Sequence, residues 1–271
     1  MPYDPLQLAE AFIRAGELAD ALDALSAHLA AQPDDASALR LRAAVLLRQG
    51  DPASLQAALA DLAALPVSTA DDLAQQSIIY ERVGITDAAL DTAREALALR
   101  PTDERLAERL VWLLAACGDL LGALEVVRAQ PRTWRWLERE GDVLGQIGDY
   151  TTAAARYGLA LAQLEVAFPA DHAFANGLRA AVLLKRAEAF RQIGDTFNAA
   201  GCLDAAEALS PAEPLIPFLR GLLLAQAGDA AGAAALCAPA YAAASAALRA
   251  EMRRALASDQ RLAPLADRLS P

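Results

Sequence analysis

The sequence lacks most of what metal-dependent and nucleophilic enzymes require. Its 271 residues include only two histidines, His28 and His172, and three cysteines, Cys117, Cys202 and Cys237. Neither histidine has a second imidazole or a carboxylate at helical ligand spacing, and the cysteines do not have metal-ligand spacing. The sequence contains neither a phosphate-binding loop nor a nucleophile beside a base. We therefore predict no catalytic residue, no metal and no cofactor, and a protein that is not an enzyme.

Positive charge and long apolar runs are also scarce. The formal net charge is −11, and a field of that sign repels phosphate backbones and anionic lipids. Arginine or acidic residues interrupt the apolar stretches before a membrane span could form, and no basic segment leads into an apolar run at the start. We predict a cytoplasmic protein that neither binds nucleic acid nor inserts into a membrane.

Aromatic residues make up only 5% of the chain, whereas hydrophobic residues make up 55%. The hydrophobic excess consists mostly of alanine and leucine, which are strong helix formers. The composition therefore predicts an all-α protein.

Seven glycines recur along the chain, and four of the six intervals between them are 34 residues. A constant period of this size indicates a stacked array of similar units. An acidic residue follows the glycine in six of the seven cases, which suits a glycine that ends one helix and an acidic cap that begins the next. Each glycine is thus predicted to mark the turn of a helical hairpin. The seven are Gly16, Gly50, Gly84, Gly118, Gly148, Gly194 and Gly228.

Other residue types keep fixed distances from these glycines. Small residues predominate seven positions before and five positions after the glycine, and a large residue stands four positions before it. Small residues allow the two helices of a hairpin to approach closely, and the large ones fill the space between neighbouring helices. Pro33, Pro101 and Pro211 each follow their glycine by 17 residues and are predicted to end the second helix.

This combination of offsets resembles the tetratricopeptide repeat (TPR) family, and the resemblance covers residues 3 to about 245. It implies one domain over residues 1–271: a right-handed superhelical solenoid of about seven TPR-like helical hairpins with a C-terminal capping helix. The implied repeats span about 3–34, 36–69, 70–103, 104–132, 134–168, 180–213 and 214–239, with an irregular insert at about 161–177 and a cap at about 240–271.

The period is irregular at two places. Only 30 residues separate Gly118 from Gly148, and Pro131 follows Gly118 more closely than the other prolines follow their glycines. The second helix of the fourth hairpin should therefore be short. Between Gly148 and Gly194 there are 46 residues, and the insert forms either a longer helix pair with a solvated loop, which we favour, or a binding element. Trp134 and Trp136 flank the short repeat, where packing is favoured over ligand contact.

In the resembled family the first helices line a concave groove that holds peptides or partner helices. The corresponding positions here carry ten basic and seven acidic residues, which favours an acidic ligand because arginine binds carboxylates through two parallel hydrogen bonds. Alternatively, these arginines pair with neighbouring acids and form a solvated face. The candidate groove residues are Arg40, Arg48, Arg82, Arg105, Arg109, Trp112, Arg135 and Arg139.

The first helix of the seventh hairpin is apolar at the inward positions, at Leu215, Phe218, Leu219 and Leu222. An exposed stripe of this length is unusual. Its cover is expected to be the insert, the C-terminal segment, a second copy of the chain or a partner helix. The segment from about Ala240 to Leu256 is predicted to be an amphipathic helix that caps the array.

Two functions are consistent with this sequence. The first is a scaffold or adaptor, not an enzyme, that binds a peptide or helical segment of another protein in its groove. The alternative is a structural subunit or assembly factor of a permanent complex. It would use the insert and the apolar first helix of the seventh hairpin to bind the other subunits.

Overall fold

The computed structural model describes residues 5–169 and 172–257, together with Leu262 and Leu265. Within these residues the chain forms fifteen α-helices, and six pairs of consecutive helices pack as hairpins: α1 with α2, α3 with α4, α5 with α6, α9 with α10, α11 with α12 and α13 with α14. The prediction of an all-α helical-repeat protein is confirmed. None of the described helices combines the length and apolar character that crossing a membrane requires.

The seven glycine turns each separate a first helix from a second helix. The first helices are α1 (Pro5–Ala15), α3 (Ala36–Gln49), α5 (Ala70–Arg82), α7 (Glu104–Ala116), α9 (Trp134–Ile147), α11 (Ala173–Gln192) and α13 (Leu215–Gln226). The second helices are α2 (Leu18–Ala31), α4 (Pro52–Ala63), α6 (Thr86–Leu99), α8 (Leu120–Arg128), α10 (Tyr150–Ala167), α12 (Thr196–Leu209) and α14 (Ala230–Ala243), and the final helix is α15 (Ala246–Ala257). By its internal contacts the chain divides into two compact units, Met1–Val126 and Val127–Pro271.

The glycine turns form as the sequence predicts. All seven glycines have positive φ, between 75° and 93°, a conformation that costs other residues energy because of their Cβ atom. After Gly50, the Asp51 carboxylate accepts hydrogen bonds from the backbone N–H groups of Ala53 and Ser54 and so caps α4. The helices α2, α6 and α12 end two residues before Pro33, Pro101 and Pro211, as predicted.

The small residues lie buried where the two helices of a hairpin cross. Ser77 is fully buried in α5, and its hydroxyl donates to the Ala89 carbonyl of α6 at 2.9 Å. Gly141 of α9 lies so close to the ring of Tyr157 in α10 that a Cβ added to Gly141 would be 2.5 Å from the ring. These positions tolerate little additional volume because the helices are already in contact.

In the first unit, helix α3 forms ion pairs with both of its neighbours. The Arg42 guanidinium contacts the carboxylate of Asp61 in α4, with Nε 2.8 Å from Oδ2. Two residues earlier, Arg40 contacts both carboxylate oxygens of Asp72 in α5 at 3.0 Å. The side chains of both aspartates are at most 6% exposed, so the arginines neutralise charges that water does not reach.

In the second unit, ion pairs form a cluster around Glu140. Helix α8 has only nine residues, and Glu140 of α9 is 1% exposed. Its carboxylate contacts Arg128, Arg132 and Arg156 at 3.0, 2.8 and 2.9 Å, which joins α8, the following loop, α9 and α10. Burial alone would raise the pKa of Glu140, but the hydrogen bonds from the three arginines outweigh it and hold the pKa below its usual value.

The extra residues of the insert lengthen two helices, since α10 has 18 residues and α11 has 20. Between them, the buried Arg179 guanidinium donates to the carbonyls of Leu164, Phe168 and Pro169. Leu164 and Phe168 lie at the C-terminal end of α10, where carbonyls lack helical partners. His172 caps α11 by accepting from the Ala175 N–H.

The C-terminal helices differ from the prediction of one helix from Ala240 to Leu256. Helix α14 continues past Pro239 to Ala243, and α15 begins at Ala246. The break is at Ser245, whose hydroxyl accepts a hydrogen bond from the Leu248 N–H and caps α15. Polar residues of α15 face outward, as predicted for the capping helix; these are Arg249, Glu251, Arg253 and Arg254.

Candidate functional site

Arg40, a candidate for ligand binding, is engaged within the first unit. In addition to the hydrogen bonds between its guanidinium and the Asp72 carboxylate, Arg40 donates from Nη2 to the Val67 carbonyl at 3.2 Å. Asp72 in turn accepts from the Thr69 N–H and forms a capping box at the start of α5. This arginine therefore fixes the loop before α5 against α3.

Two candidate guanidinium groups lie near the C-terminal end of α3: that of Arg48, which belongs to α3, and that of Arg82, the last residue of α5. Arg82 donates to the Leu47 carbonyl at 2.9 Å, where a cation satisfies the end of the helix. Arg48 is exposed, and no described residue forms an ion pair with it. Of the two, Arg48 keeps its full hydrogen-bonding capacity for a ligand.

Helix α7 presents Arg105, Arg109 and Trp112 on one side, because residues three and four apart are neighbours on a helix surface. The Arg109 Nη2 atom is 2.5 Å from Oε2 of Glu81 and donates to the Ser77 carbonyl at 3.1 Å. Its guanidinium also lies over the Trp112 ring, 5.6 Å from the centroid, within cation–π range. Helix α5 thus holds Arg109, and Arg109 is in contact with Trp112.

The two other members of this face are open to solvent. Trp112 is 52% exposed, and the Arg105 side chain is 80% exposed. Arg105 reaches the carboxylates of Asp103 and Asp71 only at 3.6 and 3.9 Å, and exposed pairs at that range contribute little. We call Arg105, Arg109 and Trp112 the α7 face; it combines an exposed indole, one fixed guanidinium and one weakly paired guanidinium.

In the second unit, charged side chains of the first helices α9 and α11 form a cluster in which basic groups are paired with carboxylates. The Lys185 Nζ atom is 2.7 Å from Glu138 and 2.9 Å from Asp142, and Arg139 approaches Asp142 at 3.5 Å. Burial alone would lower the pKa of Lys185, but Asp142 and Glu138 outweigh it and raise the pKa. Burial and the adjacent Asp142 carboxylate, which accepts from the Tyr157 hydroxyl at 3.0 Å, raise the pKa of Tyr157.

The two tryptophans beside this cluster have different environments. Trp136 is buried, whereas Trp134 is half-buried and lies under the guanidinium of Arg135 at 5.3 Å. Arg135 is exposed, and among the described residues no carboxylate pairs with it. Arg135 is therefore the candidate in this unit whose charge is not compensated by a neighbouring acid.

The apolar side of α13 is buried within the second unit. Phe218 and Leu222 are fully buried and Leu219 nearly so, while Leu215 packs against the same core. That core includes Met252 and Leu256 of α15, and also Leu262 and Leu265. Of the covers considered from the sequence, the C-terminal segment is the one that packs against this face.

A cavity of about 530 Å³ lies beside this covered face, between α11, α13 and α15. Sequence reasoning missed it. Its α11 wall includes Gly177, Ala180 and Ala181, and this run of small residues is the signal that could have indicated open space. Leu215, Phe218 and Leu219 line the opposite side, so part of the predicted apolar stripe borders a cavity.

Comparison with known proteins supports the architecture. No family model matches the sequence, and no curated protein sequence matches it either. Among solved structures, the chain is similar to a tetratricopeptide repeat protein from Parabacteroides merdae, with 17% identity, 93% of this chain and 96% of that chain covered, and a TM-score of 0.60. It is also similar to the C-terminal part of a TPR repeat-containing protein from Cytophaga hutchinsonii, with 11% identity, 98% and 100% covered, and a TM-score of 0.67. At these identities the likeness concerns the fold, and the fold of this chain is that of the tetratricopeptide repeat proteins.

Proposed function

We propose that this protein is a scaffold, not an enzyme, that binds an acidic peptide or helical segment of another protein through the α7 face. The observation that carries the proposal is the exposure of Trp112 beside two arginines. Tryptophan and arginine are the residue types that most often dominate binding energy at protein interfaces. An indole that is half exposed and stacked under a guanidinium offers a partner a large apolar contact at low entropic cost.

The arrangement of the two arginines supports an acidic ligand. Arg109 is held by Glu81 and Ser77, so it loses little freedom when Trp112 is covered. Arg105 is one turn away with its side chain 80% exposed, and it can form two parallel hydrogen bonds with a carboxylate. A segment whose acidic and apolar residues are separated by about the length of two helical turns would match this face, because Arg105 and Trp112 are seven residues apart on α7.

The remaining candidates divide into two groups under this proposal. Arg48 and Arg135 extend the binding surface of their respective units because they are exposed and lack an acidic partner among the described residues. Arg40, Arg82 and Arg139 are proposed to maintain structure, since each is bonded within the chain. The alternative of a permanent complex through the apolar side of α13 would require displacement of α15.

A peptide-display selection against the wild-type protein, followed by affinity measurements on variants, tests the proposal. Selected peptides should be enriched in Asp or Glu at a distance of about two helical turns from an apolar residue. Trp112→Ala should weaken their binding about 30-fold, which corresponds to an interface hot spot of about 2 kcal/mol. Arg105→Glu should lower the peptide affinity by a larger factor at low salt than at high salt, because salt screens interactions between exposed charges.

Arg94→Glu is the matched charge control, because Arg94 is an exposed arginine of the second helix α6 and should leave binding unchanged. Circular dichroism confirms that each variant is folded. The proposal is refuted if the selected peptides lack acidic residues, or if folded Trp112→Ala and Arg105→Glu variants bind them as the wild type does.

A further inference from the structure

The second unit contains another cleft of about 640 Å³, bounded by α10, α11 and α12. Its walls are largely apolar, with Leu161 and Ala162 on α10, Leu183 on α11, and Ala205 and Leu209 on α12. Two guanidinium groups, those of Arg179 and Arg186, also line it. An apolar cleft of this volume is in the range of sites that bind small molecules.

None of the ion pairs of the described residues involves Arg186. It is half-buried, and its Nε atom is shielded from solvent without a hydrogen-bond partner. Within the described part of the chain its recorded contact is with the ring of Phe190, 5.2 Å from the guanidinium. Gly158 leaves space for this group, because a Cβ there would lie 3.2 Å from Cζ of Arg186.

Arg179 adds a second positive charge, and none of the carboxylates of the described residues forms an ion pair with it. It is 7% exposed, and the acceptors recorded for it are backbone carbonyls and the Asn176 side-chain oxygen. Its Nε atom is also buried without a partner. Glu165 is the acidic residue that lines the cleft, and none of the ion pairs of the described residues joins it to either arginine.

Other half-buried arginines among the described residues contact carboxylates, as Arg42 contacts Asp61 and Arg156 contacts Glu140. A shielded charge without a counter-ion is unfavourable in a protein interior. Among the described residues that line the cleft, two guanidinium groups and one carboxylate leave one positive charge, which one carboxylate of a ligand would neutralise. A phosphate dianion would exceed that charge in a chain whose net charge is already −11.

From this arrangement we propose that the cleft between α10, α11 and α12 is a binding site for a small monocarboxylate with an apolar body. The carboxylate contacts the guanidinium of Arg186, and the apolar body lies against Leu161, Leu183 and Leu209. Arg179 contributes positive potential and keeps the end of α10 in place. This site is separate from the α7 face and does not depend on the function proposed for it.

Calorimetric titration with octanoate tests the site, with octanol as the uncharged probe of the same length. Octanoate should bind the wild-type protein, and octanol at least about 10-fold more weakly, since charge-assisted hydrogen bonds are the stronger class. Arg186→Met keeps an apolar stem without the charge and should lower octanoate affinity by a similar factor. Arg186→Lys should restore part of it, because the charge returns without the planar fork.

Arg135→Met is the matched control, since Arg135 also lies over an aromatic ring, at 5.3 Å, and has no carboxylate partner among the described residues. It should leave octanoate binding unchanged. Ala205 is exposed on α12, so Ala205→Trp should fill the cleft and abolish binding even if Arg186→Met does not fold. Absence of octanoate binding to the wild type, equal affinity for octanol, or unchanged affinity in a folded Arg186→Met variant would each overturn the proposal.

Discussion

Replacing Glu140 by glutamine tests the energetics of the short repeat most directly. The substitution preserves shape but removes the negative charge that contacts Arg128, Arg132 and Arg156. Removing one partner of a buried ion pair costs about 3–5 kcal/mol. The Arg128 and Arg132 side chains are about half exposed and regain hydration, so we expect a loss of about 2–3 kcal/mol in the free energy of unfolding of the second unit.

Urea denaturation followed by tryptophan fluorescence is a suitable assay. Trp136 is buried in the same helix as Glu140, and a Trp112→Phe background removes the tryptophan of the first unit. The expected loss corresponds to a midpoint lower by about 1 M urea. Glu251→Gln, an exposed change on α15 of the same unit, should change the free energy of unfolding by less than about 0.5 kcal/mol.

The pH dependence of this difference has a defined sign. The pKa of Glu140 is lower in the folded protein than its usual value, so its stabilising contribution is present above the unfolded-state pKa. That contribution is lost as the pH falls through the folded-state pKa. The stability gap between the wild type and Glu140→Gln should therefore close below about pH 4. A gap that is absent at pH 7, or that persists unchanged in acid, would refute this account of the cluster.

Two further predictions concern packing and thiol reactivity. Gly141→Ala should destabilise the second unit by about 1–3 kcal/mol, because the new Cβ would overlap the Tyr157 ring. Gly145→Ala on the same helix meets no atom within 4 Å and should stabilise the unit by about 1 kcal/mol. Equal effects of the two substitutions in thermal melts would contradict the proposed helix contact. In a thiol titration of the native protein, exposed Cys117 should react while buried Cys202 and Cys237 do not, since burial raises the pKa of Cys237 to about 12; rapid reaction of all three would be inconsistent with this burial.

The sequence was sufficient to predict the hairpins because their determinants are local. The glycine conformation, the aspartate caps and the proline stops each depend on residues within a few positions of the turn. Short α8 and long α10 and α11 follow from the glycine spacing alone. The boundary between α14 and α15 was not predicted, because Pro239 is tolerated within a helix and Ser245 provides the cap instead.

The candidate binding residues could be predicted only in part, because their availability depends on contacts between helices distant in sequence. Offsets from the glycines identify which arginines share a face, but not that Arg40 contacts Asp72, 32 positions away. The same applies to Arg109, whose partner Glu81 lies on the preceding first helix. The cleft beside Arg186 gave no sequence signal, since it arises from the relative placement of three helices.

The two ion pairs of α3 have a consequence for exchanging repeats between proteins of this fold. A hairpin transplanted into the place of α3 and α4 would need its own arginine opposite Asp72, whose side chain is 2% exposed, in addition to matching hydrophobic residues. Without that arginine, the recipient would retain an isolated carboxylate at the junction. The second hairpin is therefore not an interchangeable module: its charge is matched to a specific neighbour, and chimeras should be designed with α3 to α5 kept as one cassette.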